Sequence, residues 1–347
     1  MKVAVFEGIR KIRLEERPEL KAASGEVIVK VKYCGICGSD LHTYLQGGRH
    51  TGHVMGHEVT GTITEVGRKV EGWQTGERVV ISPPGSFCGE CYYCRRGLPN
   101  KCVHTFERTI GLSPGADGGM AEYIRVKYPQ NMLFRVPDNG SFEQSVLADT
   151  MSVALRGIRV SRFRVGDNVV VSGAGSIGYS TIQFLRLGGA RHITVLEPSE
   201  KKRKLILNSG FADVALNPIK ESNSLQQKVI DIYDGIGADI AFECSGTPQG
   251  LKSLLGLMKS DGQVLIFGGG RGDTPISQSQ LTFRELEIKT SFAYAEDDMS
   301  ISLDFLRQRR FNTKGMISDI ISLDDVVEKG FERLAANRDL MKIVIAP

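Results

Sequence analysis

The apolar positions along the chain follow two different patterns, and the change falls near Asp167. Up to about residue 33 they alternate through KVAVFEG, KIRLEERPEL and GEVIVKVKYCGICG, with Val27, Val29 and Val31 on one face and charged residues on the other. That is the period-two signature of half-buried strands. VTGTITEVGRKV and GERVVIS extend it from Val59 to Ser82, and Gly61, Gly67, Gly72 and Gly76 punctuate these strands. Such glycines suit the corners of a small twisted barrel. Residues 103–147 return to loops and strands, and Ser141 to about Arg164 reads as a helix.

After Asp167 the pattern is that of a parallel sheet buried on both faces. NVVVS is a continuous apolar strand, followed by GAGSIG, an amphipathic helix over YSTIQFLRLGG and a second strand, HITVLE. Further α/β units follow: KKRKLILNSGF, DVALNP, a helix around Leu225–Asp234, GADIAFECSG, a helix at Gln249–Lys259 and QVLIFGG. LEIKTSFAY and KIVIAP close the chain, and the portion from about Ser291 is expected to fold back onto the first domain. The expected class is α/β, with a doubly wound parallel sheet over 153–291 inserted into a β-rich domain formed by 1–152 and 292–347.

Composition narrows the possibilities without choosing among them. A chain of 347 residues has room for two domains, since single cores rarely grow beyond about 250–300 residues. No apolar run is long enough to span a membrane. The N-terminus has no signal-peptide core and reads as a strand. A net charge of +4 is mild, and no basic stripe with interleaved aromatics supports nucleic-acid binding. The seven cysteines are odd in number and mostly in metal-like spacings. That favours a reducing cytoplasm over a disulfide framework. Trp73 and Cys244 read as packing residues.

Three stretches carry candidate chemistry. The first runs from Cys34 to Glu58 and holds Cys37-Gly-Ser39-Asp40, His42 and Gly56-His57-Glu58. Singly, Cys37 could be a small buried apolar residue and His57 a satisfied core histidine. Together they offer a thiolate and an imidazole, ligands that suit zinc. Two ligands do not complete a site, and Asp149, in LADTM, is the candidate third.

The second stretch is Cys88-Gly-Glu-Cys91-Tyr-Tyr-Cys94, with Cys102 shortly after. Four cysteines in one lobe suit a closed tetrahedral zinc site that serves stability. An iron–sulfur cluster and two disulfides are the alternatives, though ferredoxin-type runs typically continue CxxxCP, whereas here the fourth cysteine lies eight residues on with no proline after it.

The third is GxGxxG with a strand before it, a helix after it and an acid, Glu197, at the expected distance. This is the Rossmann dinucleotide fingerprint. Gly173 permits the tight turn, Gly175 lets the backbone approach a pyrophosphate, and Gly178 lets helix and strand pack closely. Ser176 and Ile177 open the helix whose free N–H groups favour phosphate. Ser245-Gly246 and Gly268-Gly269 fall at strand ends, where open α/β sheets hold ligands.

With GICGSDLH, GHE, the four-cysteine lobe, GAGSIG and the late SFAY in order, the chain resembles the zinc-dependent medium-chain dehydrogenase/reductase family over essentially its full length. Within it the chain looks nearest the sorbitol, threonine and butanediol dehydrogenases and the bacterial secondary-alcohol dehydrogenases. The resemblance implies a GroES-like β-barrel catalytic domain beside the Rossmann domain. It implies one catalytic zinc on Cys37 and His57, with Glu58 near the metal, and one structural zinc on Cys88, Cys91, Cys94 and Cys102. Asp40 would accept a hydrogen bond from the ligand histidine, as such ligands usually require. Ser39 would take the substrate hydroxyl proton and His42 would pass it outward. Cys34 matches no family ligand. The chain departs from part of the family at the third ligand, where Asp149-Thr150 stands in place of cysteine or glutamate–proline, although some secondary-alcohol dehydrogenases also carry aspartate there; its linker Gln46–His53 is atypical too, and His50 and His53 are expected to be exposed.

These implications converge on hydride exchange between a secondary alcohol or polyol and NAD, giving a ketone. Glu197 should accept hydrogen bonds from the adenosine ribose and repel an added 2′-phosphate. Lys201, Lys202 and Arg203 follow closely and leave room for NADP tolerance. A zinc hydrolase could use the same ligands but leaves GAGSIG and Glu197 unexplained. A non-catalytic relative leaves Ser39, His42 and the zinc ligands unexplained. A zinc-free quinone-type reductase is disfavoured by Cys37 and the four-cysteine lobe. The expected partners are a small alcohol or ketone, with no nucleic acid or membrane, in a homodimer or homotetramer.

Overall fold

The computed structural model describes residues 1–267 and 272–347. The chain divides into two compact units, one formed by Met1–Asp149 with Tyr294–Pro347 and the other by Thr150–Ala293. The first unit begins with β1 (Lys2–Gly8) and β2 (Lys11–Glu16), an antiparallel pair. Then come β3 (Val27–Gly35), β4 (Glu58–Val66), β5 (Arg78–Ile81), β6 (Tyr123–Val126) and β7 (Leu133–Arg135). The second unit contributes β8 (Asn168–Ser172), β9 (His192–Leu196), β10 (Val214–Leu216), β11 (Ala238–Glu243), β12 (Met258–Phe267) and β13 (Glu287–Ser291). The chain then returns to the first unit with β14 (Ile317–Ser322) and β15 (Lys342–Ala346).

In the first unit the sheet order is β14-β15-β3-β4-β5-β7, with β6 paired to β3. Val27, Val29 and Val31 are buried while Lys30 and Lys32 are exposed, so the alternation in β3 fixes which face meets the core. Register shifts between β3 and β4, at Ile28/Val29 and Val31/Tyr33, are bulges of the kind that bend a sheet.

The second unit is a parallel sheet ordered β10-β9-β8-β11-β12-β13. This is the doubly wound order, and the connections reverse direction between β8 and β11. The helix Ser176–Leu187 departs from the amphipathic expectation. It is buried without interruption from Gly178 to Leu185. Its polar Ser180 and Thr181 survive there because their hydroxyls donate to Ser176 O and Ile177 O one turn back, each at 2.9 Å.

Other elements are shorter than expected. The helix anticipated over Ser141–Arg164 is two, Phe142–Ser145 and Ala148–Val160, the first capped by Ser141 Oγ accepting from Gln144 N–H. The helix from Leu225 stops at Ile232, just before Asp234 takes the left-handed φ of 56°. The strand anticipated through Tyr294 ends at Ser291, and Ala293 has a φ of 50°.

The return segment is held by pairing and by charge. Val344 and Ile345 of β15 lie opposite Gly35 and Cys34 of β3. The lysine that opens β15, Lys342, donates from Nζ to Glu58 Oε2 at the start of β4. Their side chains are 3% and 1% exposed. Burial opposes the charge on Lys342, yet Glu58 and the neighbouring acids outweigh it and raise its pKa. Such a pair is expensive to break from one side, because the survivor stays buried and charged. Lys342→Met should therefore lower unfolding stability by about 3–5 kcal/mol, and adding Glu58→Gln should recover part of the loss. Thermal unfolding of the two variants measures this, and a Lys342→Met protein that melts like the parent would refute the pairing.

Candidate functional site

At the end of β3 the chain passes through Gly35 and Ile36 into Cys37, which caps the helix Gly38–Gln46. No periodicity announced this helix. It starts here because Asp40, in its first turn, folds back so that Oδ2 accepts the Cys37 N–H at 3.1 Å. This is one half of a capping box. Ser39 and His42 lie on the same helix, three residues apart and both half-buried. Helical residues at that spacing share a face.

His57 and Glu58 enter at the start of β4. Gly56, before them, has φ +92°, and a Cβ there would lie 2.5 Å from Cys34 Sγ and 2.8 Å from Met120 Cγ. Only glycine brings the chain past that point. Gly35 is needed for a different reason, since a Cβ on it would lie 2.2 Å from Glu58 Oε2. Cys37, His57 and Glu58 thus meet, with one donor atom of each within 4.8 Å of the others. Sulfur, imidazole nitrogen and carboxylate oxygen form a donor set that fits zinc.

Asp40 connects the ligand candidates. Fully buried, it places Oδ1 3.5 Å from His57 Nδ1, which leaves His57 Nε2 as the nitrogen to face an ion. Burial opposes a charge on His57, but Asp40 and Cys37 outweigh it and hold its pKa well above the ordinary histidine range. Asp40 shows the reciprocal effect: burial pushes its carboxyl up, while His57 and Arg49 bring it below the usual value.

Asp149 stands in the first turn of Ala148–Val160, outside the group of three. Its Oδ1 accepts from the Tyr294 hydroxyl at 2.6 Å. Burial is the main reason its pKa rises to about 6, with His57 pulling the other way. Tyr294, Lys342 and Arg49 were absent from the sequence-based site. Tyr294 closes the SFAY stretch and Arg49 lies in the atypical linker, but neither stretch marked them as site residues, and only the register of β15 and the path of the return segment bring Lys342 and Tyr294 in.

Cys88, Cys91, Cys94 and Cys102 form a second group, with their sulfurs within 4.8 Å of one another. Cys88 and Cys94 Sγ are 3.9 Å apart, and Cys91 and Cys94 Sγ are 3.4 Å apart. A single tetrahedral ion with bonds of ~2.3 Å puts sulfurs about 3.8 Å from one another, so the lobe is sized for one ion. Those separations are far longer than an S–S bond of ~2.05 Å, and no disulfide joins any of the cysteines here.

In the second unit the glycine loop has three distinct geometries. Gly173 turns with φ +91°, and its Cβ position lies 2.8 Å from Ser245 N. A Cβ on Gly178 would lie 1.9 Å from Gly173 O. Gly175 has nothing within 4 Å of its Cβ position. Between Val169 and Leu185 only Gly175, Ser176 and Ile177 reach the surface, so the open backbone lies where a helix N-terminus offers its N–H groups.

Glu197 follows β9 and is buried. Its Oε2 accepts from Ala174 N–H at 2.7 Å and Oε1 from Ser199 N–H at 2.8 Å. Ser199 Oγ in turn accepts from Lys202 N–H. Ser245 donates its hydroxyl and N–H to Glu243, which the sequence reading had overlooked. Burial raises the Glu243 pKa despite these bonds. Gly268 lies outside the described residues.

One expectation is overturned. His50 is exposed as anticipated, but His53 is only 4% exposed, because the linker is tied to β1 through Phe6 N–H to His53 O and Gly52 N–H to Phe6 O. A surface cleft of about 620 Å³ between Asp138–Gln144 and Thr313–Ile317 contains none of the site residues.

Comparison with known proteins agrees with these features. Residues 23–138 match the alcohol dehydrogenase GroES-like domain and residues 176–308 the zinc-binding dehydrogenase domain. The (R,R)-butanediol dehydrogenase of Bacillus subtilis is 31% identical over 100% of both chains, and the sorbitol dehydrogenase of the same organism is 28% identical over 100% of this chain and 97% of its own. The crystal structure of 2R,3R-butanediol dehydrogenase from Bacillus subtilis superposes with a TM-score of 0.85 at 29% identity, covering 100% of this chain and 99% of that one. An alcohol dehydrogenase from Escherichia coli CFT073 complexed with NADH gives 0.87 at 26% identity, with the same coverage. A zinc-binding dehydrogenase from Sinorhizobium meliloti bound to NADP gives 0.86 at 27% identity, again with that coverage. Full-length similarity at this level, on a chain that presents both cysteine-containing clusters and the dinucleotide loop, means that the protein belongs to the zinc-dependent medium-chain alcohol dehydrogenase family.

Proposed function

We propose that this protein is a zinc-dependent, NAD-linked dehydrogenase of secondary alcohols or polyols, interconverting the alcohol and its ketone. The observation that carries the reading is the meeting of Cys37, His57 and Glu58 around one point, on a chain whose glycine loop leaves Gly175 open. The names of the butanediol and sorbitol dehydrogenase relatives favour a diol or polyol as the substrate class. A metal hydrolase has no use for the dinucleotide loop.

Cys37 would hold the catalytic metal through Sγ and His57 through Nε2, with Asp149 as third ligand and Glu58 close by. Zinc bound there supplies Lewis acidity toward the substrate oxygen, and NAD supplies the hydride acceptor. Ser39 takes the proton from the substrate hydroxyl and His42, three residues along the same helix, carries it outward. Asp40 fixes the orientation of His57. Lys342 balances Glu58 and keeps that carboxylate from competing unopposed for the ion. Cys88, Cys91, Cys94 and Cys102 hold a second zinc that serves stability alone.

Gly175, Ser176 and Ile177 receive the cofactor pyrophosphate, with Ser245 at the adjoining strand end. Glu197 selects NAD. Both of its oxygens already accept backbone N–H groups, so its orientation is set before the ribose arrives. Lys202 stands beside the ribose site.

Purified protein with NAD and a panel of secondary alcohols, diols, polyols and cyclic alcohols should produce NADH with one class, and a zinc chelator should abolish turnover. Chelator-insensitive turnover would sink the metal assignment, and NADP-only turnover the assignment of Glu197. Asp40→Asn should weaken zinc binding or activity by roughly 10–100-fold, measured by chelator competition, while the four-cysteine zinc stays in place. Glu197→Ala should shift the NAD to NADP preference by about tenfold, equivalent to ~1.4 kcal/mol. An unchanged ratio of kcat/KM values for the two cofactors counts against its role.

A further inference from the structure

The linker Gln46–His53 carries a cation that the mechanism above does not use. Arg49 Nη1 lies 3.9 Å from Asp40 Oδ1, the same oxygen that faces His57 Nδ1 at 3.5 Å. The Arg49 side chain is 22% exposed, but Nη1 itself is buried and has no hydrogen-bond partner among the described residues. Asp40 Oδ1 is in the same condition. Nη1 is thus turned into the protein interior. What it faces is the carboxylate that also orients His57 and caps the helix at Cys37.

The loop has the means to hold it there. Gly47, Gly48 and Gly52 all take positive φ. His53 Nδ1 pairs with His50 O at 2.6 Å, and Gly52 N–H donates to Phe6 O at 2.7 Å. Arg17 Nη2 reaches Gly52 O at 3.4 Å.

We propose that Arg49 is a positioning residue that shares the charge of Asp40 and so limits how much negative charge Asp40 lends to His57. The proposal rests on Cys37 and His57 being metal ligands. A carboxylate behind a histidine ligand raises the ligand's basicity and tightens the metal. A cation on the same carboxylate acts in the opposite sense, leaving the ion more electrophilic at some expense of affinity. Removing Arg49 therefore tightens metal binding and slows turnover together. A merely structural loop residue has a different signature, since loosening the loop weakens metal binding.

The test uses the full-length protein and cobalt or zinc alone as the probe. Arg49→Met and Arg49→Lys are compared with the parent by chelator competition at the second metal equivalent and by the visible absorption of the cobalt form. Steady-state kinetics on the alcohol found active complete the set. Arg49→Met is expected to bind metal about tenfold more tightly, to shift the cobalt band, and to lose kcat with KM for the alcohol unchanged. Arg49→Lys, which restores the charge, is expected to return both readouts toward the parent. Weaker metal binding in Arg49→Met, or binding and absorption equal to the parent, overturns the proposal. A rise in KM alone overturns it in favour of a substrate contact. A parent protein that takes up only the four-cysteine equivalent overturns the ligand reading as well, which separates that failure from failure of Arg49.

Discussion

Asp40 is fully buried, and a carboxylate removed from water costs several kcal/mol unless its oxygens are answered. Here one oxygen takes the Cys37 N–H and the other faces His57 and Arg49. The start of the helix Gly38–Gln46, the direction of Cys37 and the ring orientation of His57 all depend on that one group. The same logic extends across the unit. Glu58 is answered by Lys342 and Asp149 by Tyr294, so each acid near the ligand cluster has its own partner. The site is a set of buried charges held in balance, and its geometry follows from the pairings.

The sequence was most legible where partners lie close along the chain. The cysteines from Cys88 to Cys102 are separated by short gaps, and the loop that joins them also brings their sulfurs together. GAGSIG follows its strand and precedes its helix, so the steric need for Gly173 and Gly178 could be stated before either geometry was known. The alternation in β3 gave its core face directly.

What could not be read depends on register or on distant contacts. Lys342 precedes three buried apolar residues, and nothing local says that its ammonium meets Glu58. His53 looked like a surface histidine because its loop is rich in glycine and polar residues, but hydrogen bonds to β1 bury it. The helix Ser176–Leu187 has polar residues at the spacing of a solvent face, yet every residue from Gly178 to Leu185 is buried. The periodicity of one segment reports its own pattern and carries no record of what later packs against it.

The placement of these partners also bears on how the molecule is assembled during synthesis. The four-cysteine lobe is complete as soon as Cys102 has left the ribosome, and its sulfurs can take up an ion while most of the chain is still unmade. Cys37, His57 and Glu58 emerge even earlier, but the lysine that neutralises Glu58 arrives 284 positions after it, in the last strand. Until that strand pairs with β3, the acids around the Cys37–His57–Glu58 cluster have no buried cation from β15 to offset them. The two residue clusters therefore gather at opposite ends of translation, the four-cysteine lobe first and the Cys37–His57–Glu58 cluster with its partner lysine only when the final strand docks.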